Sequence, residues 1–428
     1  METIITLPAA LMVIRALNIR ESEEPGQAWQ SAILSTIALW VVALVYLLAV
    51  YSLLTQQRAD FALTAYGGYA GILATMPGVF LTYLRMIVWP SGLSADYVRP
   101  ILQLGDFRAW APLALWLIVG IWAAVGLLRR DRRVLAPALF FIAIAPFSQL
   151  VPFWIMMADR YLYLPMIPLV GGLMYIAQRV TFSLFNYQIR SGLRIALAAI
   201  VLLAFGALTF HRAGLWGDSL RLWRDSLNKQ PASPVAHFNY ANALSYTNRP
   251  KEAANQYFIT VGNGYPSLDE VRNLTSVLFS LGEQNKAEAL MYAGIARWPD
   301  SDRLIAQMSL MLINSGRLGE AGVLLSPYLD NTEFSTEILE VLTLWAMRNN
   351  DTEAFWRFSQ MLHSRDPGNS MYNQVVGFLN QRSGNRAAAA QHYYIAYKHA
   401  TNPTERSQSC NRLMNISRQR GTVAFCDY

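Results

Sequence analysis

Cysteine is almost missing from this chain: two in 428 residues, Cys410 and Cys426, both close to the C-terminal end. That excludes a disulfide-rich scaffold and a cysteine-clustered zinc site. Histidine is also scarce. The five histidines, at 211, 237, 363, 392 and 399, have no second ligand type at fixed spacing, so no metal centre is expected. No glycine-rich phosphate loop and no Ser/His/Asp or Cys/His arrangement occurs. Charge is short as well: 15% of residues are charged, against about 25% in soluble domains. The shortage is concentrated in one half. Residues 1–212 hold no lysine, 15 arginines and 9 acids, whereas residues 213–428 hold 20 basic and 19 acidic residues. The first half is too apolar to fold in water and the second is ordinary, which excludes a purely soluble enzyme and a disordered chain. The net charge of +7 lies mostly in short loops between apolar runs, so nucleic acid is not an expected partner.

The first half is built instead from long hydrophobic runs. A membrane-spanning helix needs about 20 mostly apolar residues. The runs 33–54, 110–128, 135–154 and 193–210 meet that need. Two others carry interruptions: 69–89 contains Pro77 and Arg85, and 161–178 contains Pro165 and Pro168. Residues 3–17 are apolar but lack the basic start of a signal peptide, with Glu2 in its place, and read as a seventh helix. Arg129, Arg130, Arg132 and Arg133 fill one short loop, and Arg179, Arg190 and Arg194 surround another. The positive-inside rule assigns both to the cytoplasm and everything after Phe210 to the opposite side. Arginine-only loops and the short chain point to a bacterial inner membrane.

In the second half Ala253, Ala287 and Ala321 recur every 34 residues, and Ala354 and Ala388 resume the period after a one-residue slip. Each follows a turn such as Gly282-Glu283 or Gly316-Arg317, and prolines close several units. A 34-residue period of this kind is the signature of tetratricopeptide (TPR) helix–turn–helix repeats. About five units cover 233–403, with a capping helix and tail over 404–428. Residues 212–232 read as an amphipathic connector, and 1–211 as the transmembrane domain. The expected fold class is all-α: a polytopic transmembrane helix bundle followed by a TPR α-solenoid. Trp298, Trp345, Trp356, Tyr257 and Tyr393 are expected to pack between helices.

Few residues outside the repeats carry chemistry. Asp96 follows Trp89-Pro90 at the end of one run, and Ala158-Asp159-Arg160-Tyr161-Leu162-Tyr163 enters another. An Asp–Arg pair at a membrane interface is costly unless it is paired or used. Two readings stand: a salt bridge with aromatic anchoring of the helix end, or recognition of a lipid-linked phosphate by Asp159, Arg160, Tyr161, Tyr163 and Asp96.

Trp89-Pro90 with Leu93, Asp96 and Tyr97, then Ala158–Pro165, then the 34-residue period, resemble one polytopic family. It is the transmembrane and tetratricopeptide-repeat O-mannosyltransferases and their prokaryotic relatives, of the GT-C class of glycosyltransferases. The stretch Glu2-Thr3-Ile4-Ile5-Thr6-Leu7-Pro8 is similar to the family's Lys-Glu…Leu-Pro segment. The resemblance implies a polyprenyl-phosphate-linked sugar as donor substrate, no other cofactor, and a protein or glycan acceptor. It also implies a chain that begins several spans into the family pattern, without the acidic loop that carries the family's catalysis. Two functions follow as expectations. One is the lipid-carrier and acceptor-binding part of such a transferase; the other is a non-catalytic membrane-anchored scaffold that assembles envelope proteins. Cys410 and Cys426 are expected to form a disulfide, since an extracytoplasmic domain meets an oxidising space. Reporter fusions after Arg133 and Arg190 should read cytoplasmic, and fusions after Arg160 and Pro231 extracytoplasmic. A cytoplasmic signal at Pro231 would overturn the orientation.

Overall fold

A computed structural model describes residues 5–18, 25–54, 63–150, 152, 155–184, 187–262, 267–330, 334–400 and 403–420. Among these the secondary structure is helical throughout, with no strand. Contacts divide the chain into two compact units, Met1–Leu244 and Ser245–Tyr428.

The first unit contains α1 (Leu7–Asn18), α2 (Pro25–Leu54), α3 (Gly68–Val88), α4 (Phe107–Leu128), α5 (Leu135–Ile144), α6 (Tyr163–Leu184), α7 (Tyr187–Trp216) and α8 (Ser219–Lys229), and its boundary falls in the last turn of α9 (Pro234–Tyr246). Among the described residues, four stretches are long and apolar enough to cross a membrane: Trp29–Ala49, Gly68–Val88, Phe107–Leu128 and Ile195–Trp216. Their outer faces are large apolar surfaces, including Leu44, Leu48, Ile118, Ile121, Leu202 and Leu203. Lipid, not water, is the solvent that such faces fit. α3 is the most enclosed of the four. Its Ile72, Met76, Val79, Tyr83 and Met86 pack with Phe140, Ile144, Phe147, Met157 and Tyr161 in one core. The Trp116 indole N–H donates to the Pro77 carbonyl at 3.0 Å and ties α4 to α3.

The expected run 135–154 is not one spanning helix. α5 stops at Ile144, and a single tight turn follows over Ala145–Phe147. Pro146 has no N–H to continue an α-helical ladder. The Ser148 hydroxyl donates back to the Ala145 carbonyl at 2.6 Å, and Gln149 turns left-handed at φ 61. The connector also differs from expectation: α7 continues through His211 to Trp216, so Arg212 belongs to a span. The amphipathic helix itself is α8, capped by Asp218.

The second unit holds α10 (Pro250–Gly262), α11 (Leu268–Ser280), α12 (Gln284–Arg297), α13 (Asp302–Asn314), α14 (Leu318–Leu325), α15 (Thr336–Arg348), α16 (Thr352–Arg365), α17 (Ser370–Arg382), α18 (Arg386–His399) and α19 (Pro403–Arg420). Its register corrects the expected slip. The left-handed turn residues are Asn248, Gly282, Gly316, Asn350 and Gly384, at an unbroken spacing of 34. The helix-capping residues Ser267, Ser301, Ser335 and Asn369 keep the same period. The crossing positions are therefore Ala253, Ala287, Ala321, Phe355 and Ala389, all buried. Ala354 and Ala388 lie one place before them and are half-buried. The misleading signal was compositional: Phe355 fills a site that alanine occupies elsewhere, and Ala354 stands beside it. Three turns close with an N–H to the carbonyl five residues earlier, Glu283 to Leu278, Arg317 to Leu312 and Asp351 to Ala346, as in a Schellman motif.

Tyr257 and Tyr393 are buried as expected, and the Trp345 indole donates to the Leu318 carbonyl at 3.0 Å. Trp356 does not follow that expectation, because it is exposed. Leu413 and Ile416 of α19 cover Ala389 and Tyr393, so α19 caps the array. Cys410 is buried in α19; Cys426 lies outside the described residues, and their pairing is a proposal. If the period is unbroken, Ala389→Leu should cost about 1–3 kcal/mol by overpacking, and Ala388→Leu distinctly less. Equal losses in thermal unfolding, or the reverse order, would restore the slipped register.

Candidate functional site

The site expected from sequence assembles around the loop between α3 and α4, but its partners are different. Trp89 ends α3 in extended backbone, and Gly92 turns left-handed at φ 70. The chain then runs past Leu93, Ser94 and Ala95 to Asp96 and Tyr97. Asp159 starts a short 3-10 turn, Asp159–Leu162, which leads into α6. That turn is held to α3 from inside: the Ala158 N–H donates to the Tyr83 hydroxyl at 3.0 Å, and Tyr83 is fully buried.

Asp159 does not pair with Arg160. It accepts hydrogen bonds from the Tyr97 hydroxyl and, at 2.8 Å, from Arg212 Nη2 near the end of α7. The same guanidinium donates to the Leu93 carbonyl at 2.7 Å and the Ser94 carbonyl at 3.2 Å. The Ser94 N–H donates to the Tyr97 hydroxyl at 2.9 Å, so that hydroxyl both donates and accepts. One carboxylate, one phenol and one guanidinium thus bind three separate stretches of chain. Burial pushes the Asp159 carboxyl above its ordinary value, while the Tyr97 and Arg212 bonds pull it down. Burial first, then the bond to Asp159, holds the Tyr97 phenol well above its usual range.

A second row of bonds joins the loop to α8 and α9. The Lys229 ammonium donates to the Leu93 carbonyl at 2.8 Å and to Asp225 at 2.5 Å. The Ala95 N–H donates to the Ser226 hydroxyl at 3.2 Å. Asp96 accepts from the Ser233 hydroxyl at 2.6 Å, and that hydroxyl also caps α9 by accepting from the Ala236 N–H at 2.9 Å.

Of the five residues expected to bind substrate, three are thus committed internally. Asp159 and Asp96 are bonded to other elements, and Tyr161 is buried with its ring stacked on Phe147 at 4.2 Å. Arg160 and Tyr163 are exposed. Arg160 lies 5.1 Å over the Tyr161 ring, and among the described residues it makes no ion pair. Arg212, Lys229 and Ser233 are not among the residues expected from sequence. Ser233 was findable, because it stands 34 residues before Ser267 and so occupies the helix-cap position of the repeats. Nothing local marked Arg212, whose partner lies 53 residues away. Among the described residues no group of histidines, cysteines and acids is arranged to hold a metal.

No family model and no curated protein matches this chain, so neither supports the O-mannosyltransferase resemblance. Similar solved structures are TPR proteins. Pseudomonas aeruginosa PilF shares 14% identity, with 51% of this chain and 99% of that one covered at a TM-score of 0.34. For yeast Tom70 the identity is 7%, the coverage 97% and 81%, and the TM-score 0.37. A MamA fragment from Desulfovibrio magneticus RS-1 is 18% identical over 41% of this chain and 96% of its own, at 0.31.

The side chains of Asp159 and Arg212 retain only 28% and 19% of their exposure, so removing one partner strands the other. Arg212→Met should cost about 2–4 kcal/mol, and adding Asp159→Asn should recover part of it. The sign with pH is set by the raised carboxyl. A folded-state pKa above the ordinary value means the burial penalty is absent at acid pH and grows as pH rises through that pKa. The Arg212→Met deficit should therefore be smallest in acid and largest near neutrality. Thermal unfolding in detergent across pH measures this; a pH-independent loss equal in single and double variants would refute the pairing.

Proposed function

We propose that this chain is a membrane-anchored TPR protein that docks a polypeptide partner on its repeats and acts as a scaffold. The observation that carries the non-catalytic part is the bonding of Asp96 and Asp159. The two acids best placed for chemistry near a span end are both used to fasten the loop to α7 and α9. The docking part is supported by aromatic side chains exposed at one repeat position. Phe258, Tyr292 and Tyr394 recur in register, each directly after a buried residue of the array, and Trp356 is exposed on α16. Rigid aromatics of this kind are favoured at protein interfaces. In this reading the anchor lies in a bacterial inner membrane and the repeats face the periplasm.

A second reading is kept by one observation, the exposed Arg160 beside the exposed Tyr163. It makes the membrane half the carrier-binding part of a glycosylation system, with Arg160 on the phosphate of a polyprenyl phosphate. A planar guanidinium binds phosphate through two parallel bonds that an ammonium cannot copy. Arg160→Lys should then weaken binding of polyprenyl phosphate to the purified protein about tenfold. Unchanged or undetectable binding removes this reading.

For the scaffold, photo-crosslinking residues placed at Tyr292 and Trp356 of the full chain in native membranes should yield a discrete polypeptide adduct. The same probe at Leu203, on a lipid-facing span, should not. Absence of adducts from both repeat positions would defeat the docking proposal.

A further inference from the structure

Arg85 and Arg99 line a cavity of about 440 Å³ at the end of α3, together with Thr82, Met86, Tyr97 and Gln230. No carboxylate lines it. Among the described residues neither guanidinium makes a hydrogen bond or an ion pair. This sets them apart from neighbours in sequence and space. Arg108 is bonded to Asp106 at 2.5 Å, and Arg212 to Asp159 at 2.8 Å. Burial, and next the charge of Arg85, push the Arg99 guanidinium below its ordinary range. Arg99 is half-buried and Arg85 exposed, and two like charges facing one space repel each other.

The other polar groups in the wall are mostly spoken for. The Thr82 hydroxyl donates to the Gly78 carbonyl at 3.0 Å, and Tyr97 is held by Asp159 and Ser94. Gln230 accepts from the Val98 N–H through its carbonyl oxygen at 3.4 Å, which leaves its NH2 as a donor. The unused groups are therefore donors: two guanidinium forks and an amide. Their natural complement carries several oxygens and negative charge. Leu81 and Met86 add apolar wall. Arg85 stands in the last turn of a helix apolar enough to cross a membrane, the depth at which lipid phosphates lie.

We propose that Arg85 and Arg99 form a binding site for a phosphate group at the membrane interface. The phosphate belongs either to a lipid headgroup or to a free ion. The site uses neither Arg160 nor the repeats, so it stands or falls apart from both readings of function above.

The test uses the full chain, in neutral detergent with inorganic phosphate and in phosphatidylcholine nanodiscs doped with phosphatidic acid. Native mass spectrometry and thermal unfolding read binding. Wild type should retain phosphatidic acid, and the double variant Arg85→Gln/Arg99→Gln should bind it at least about tenfold more weakly, since each fork supplies charge-assisted bonds. Arg108→Gln is the control and should bind as wild type does. Single Arg→Lys variants should fall between, and they preserve the test if the double variant does not fold. Stabilisation by inorganic phosphate alone assigns the site to a free ion; retention of phosphatidic acid without it assigns a headgroup. A second signature needs no lipid: without phosphate, Arg85→Gln should unfold at a higher temperature than wild type, because the repulsion is relieved. Equal binding by wild type and the double variant, or no binding of either probe, would overturn the proposal.

Discussion

A carboxylate partly withdrawn from water gains from a counter-charge, and Asp159 obtains its own from the far end of α7. This pairing is the constraint on which the geometry of the first unit depends. The guanidinium that reaches Asp159 also meets the Leu93 and Ser94 carbonyls, so the loop, the 3-10 turn and the last span are held together at one side chain. Tyr97 closes the same set from the loop's side. Each bond alone is worth about 1–3 kcal/mol. Their combined effect is larger in kind, because three segments separated by up to 119 residues lose their independent motion at once.

The repeat period reaches into this arrangement. Ser233 occupies the position of a helix-capping serine, as Ser267, Ser301 and Ser335 do in later units. Its oxygen accepts from the Ala236 N–H, which a cap must do, and its proton remains free to go to Asp96. One hydroxyl therefore starts the first repeat helix and binds the membrane loop.

Periodicity made the helical repeats legible, because buried small residues and turn residues leave a mark at fixed spacing. Hydrophobic runs likewise exposed the spans. Two local features defeated the same logic. Phe355 concealed the true register by standing where alanine was expected, although Asn350 and Asp351 kept the turn in phase. Pro146 lies in a run of ample hydrophobicity, yet α5 ends before it. The site was legible only as a set of unusual residues. Asp96 and Asp159 could be picked out because charge is rare in that half. Their bonds could not, since they join residues 53 to 137 positions apart and no spacing rule covers such distances.

The absence of lysine from the first 212 residues has a structural side as well as a topological one. An ammonium offers three donors around one point, whereas a guanidinium spreads five across a plane. Arg212 uses that spread to serve two carbonyls and a carboxylate on separate segments. Lys229, the first lysine of the chain, reaches one carbonyl and a carboxylate on its own helix. Where water is scarce and partners lie in different directions, the planar group satisfies more of them for one buried charge. Arginine is therefore the basic residue this membrane half can use, both where its charge is matched, as at Arg212, and where its donors remain open, as at Arg85 and Arg99.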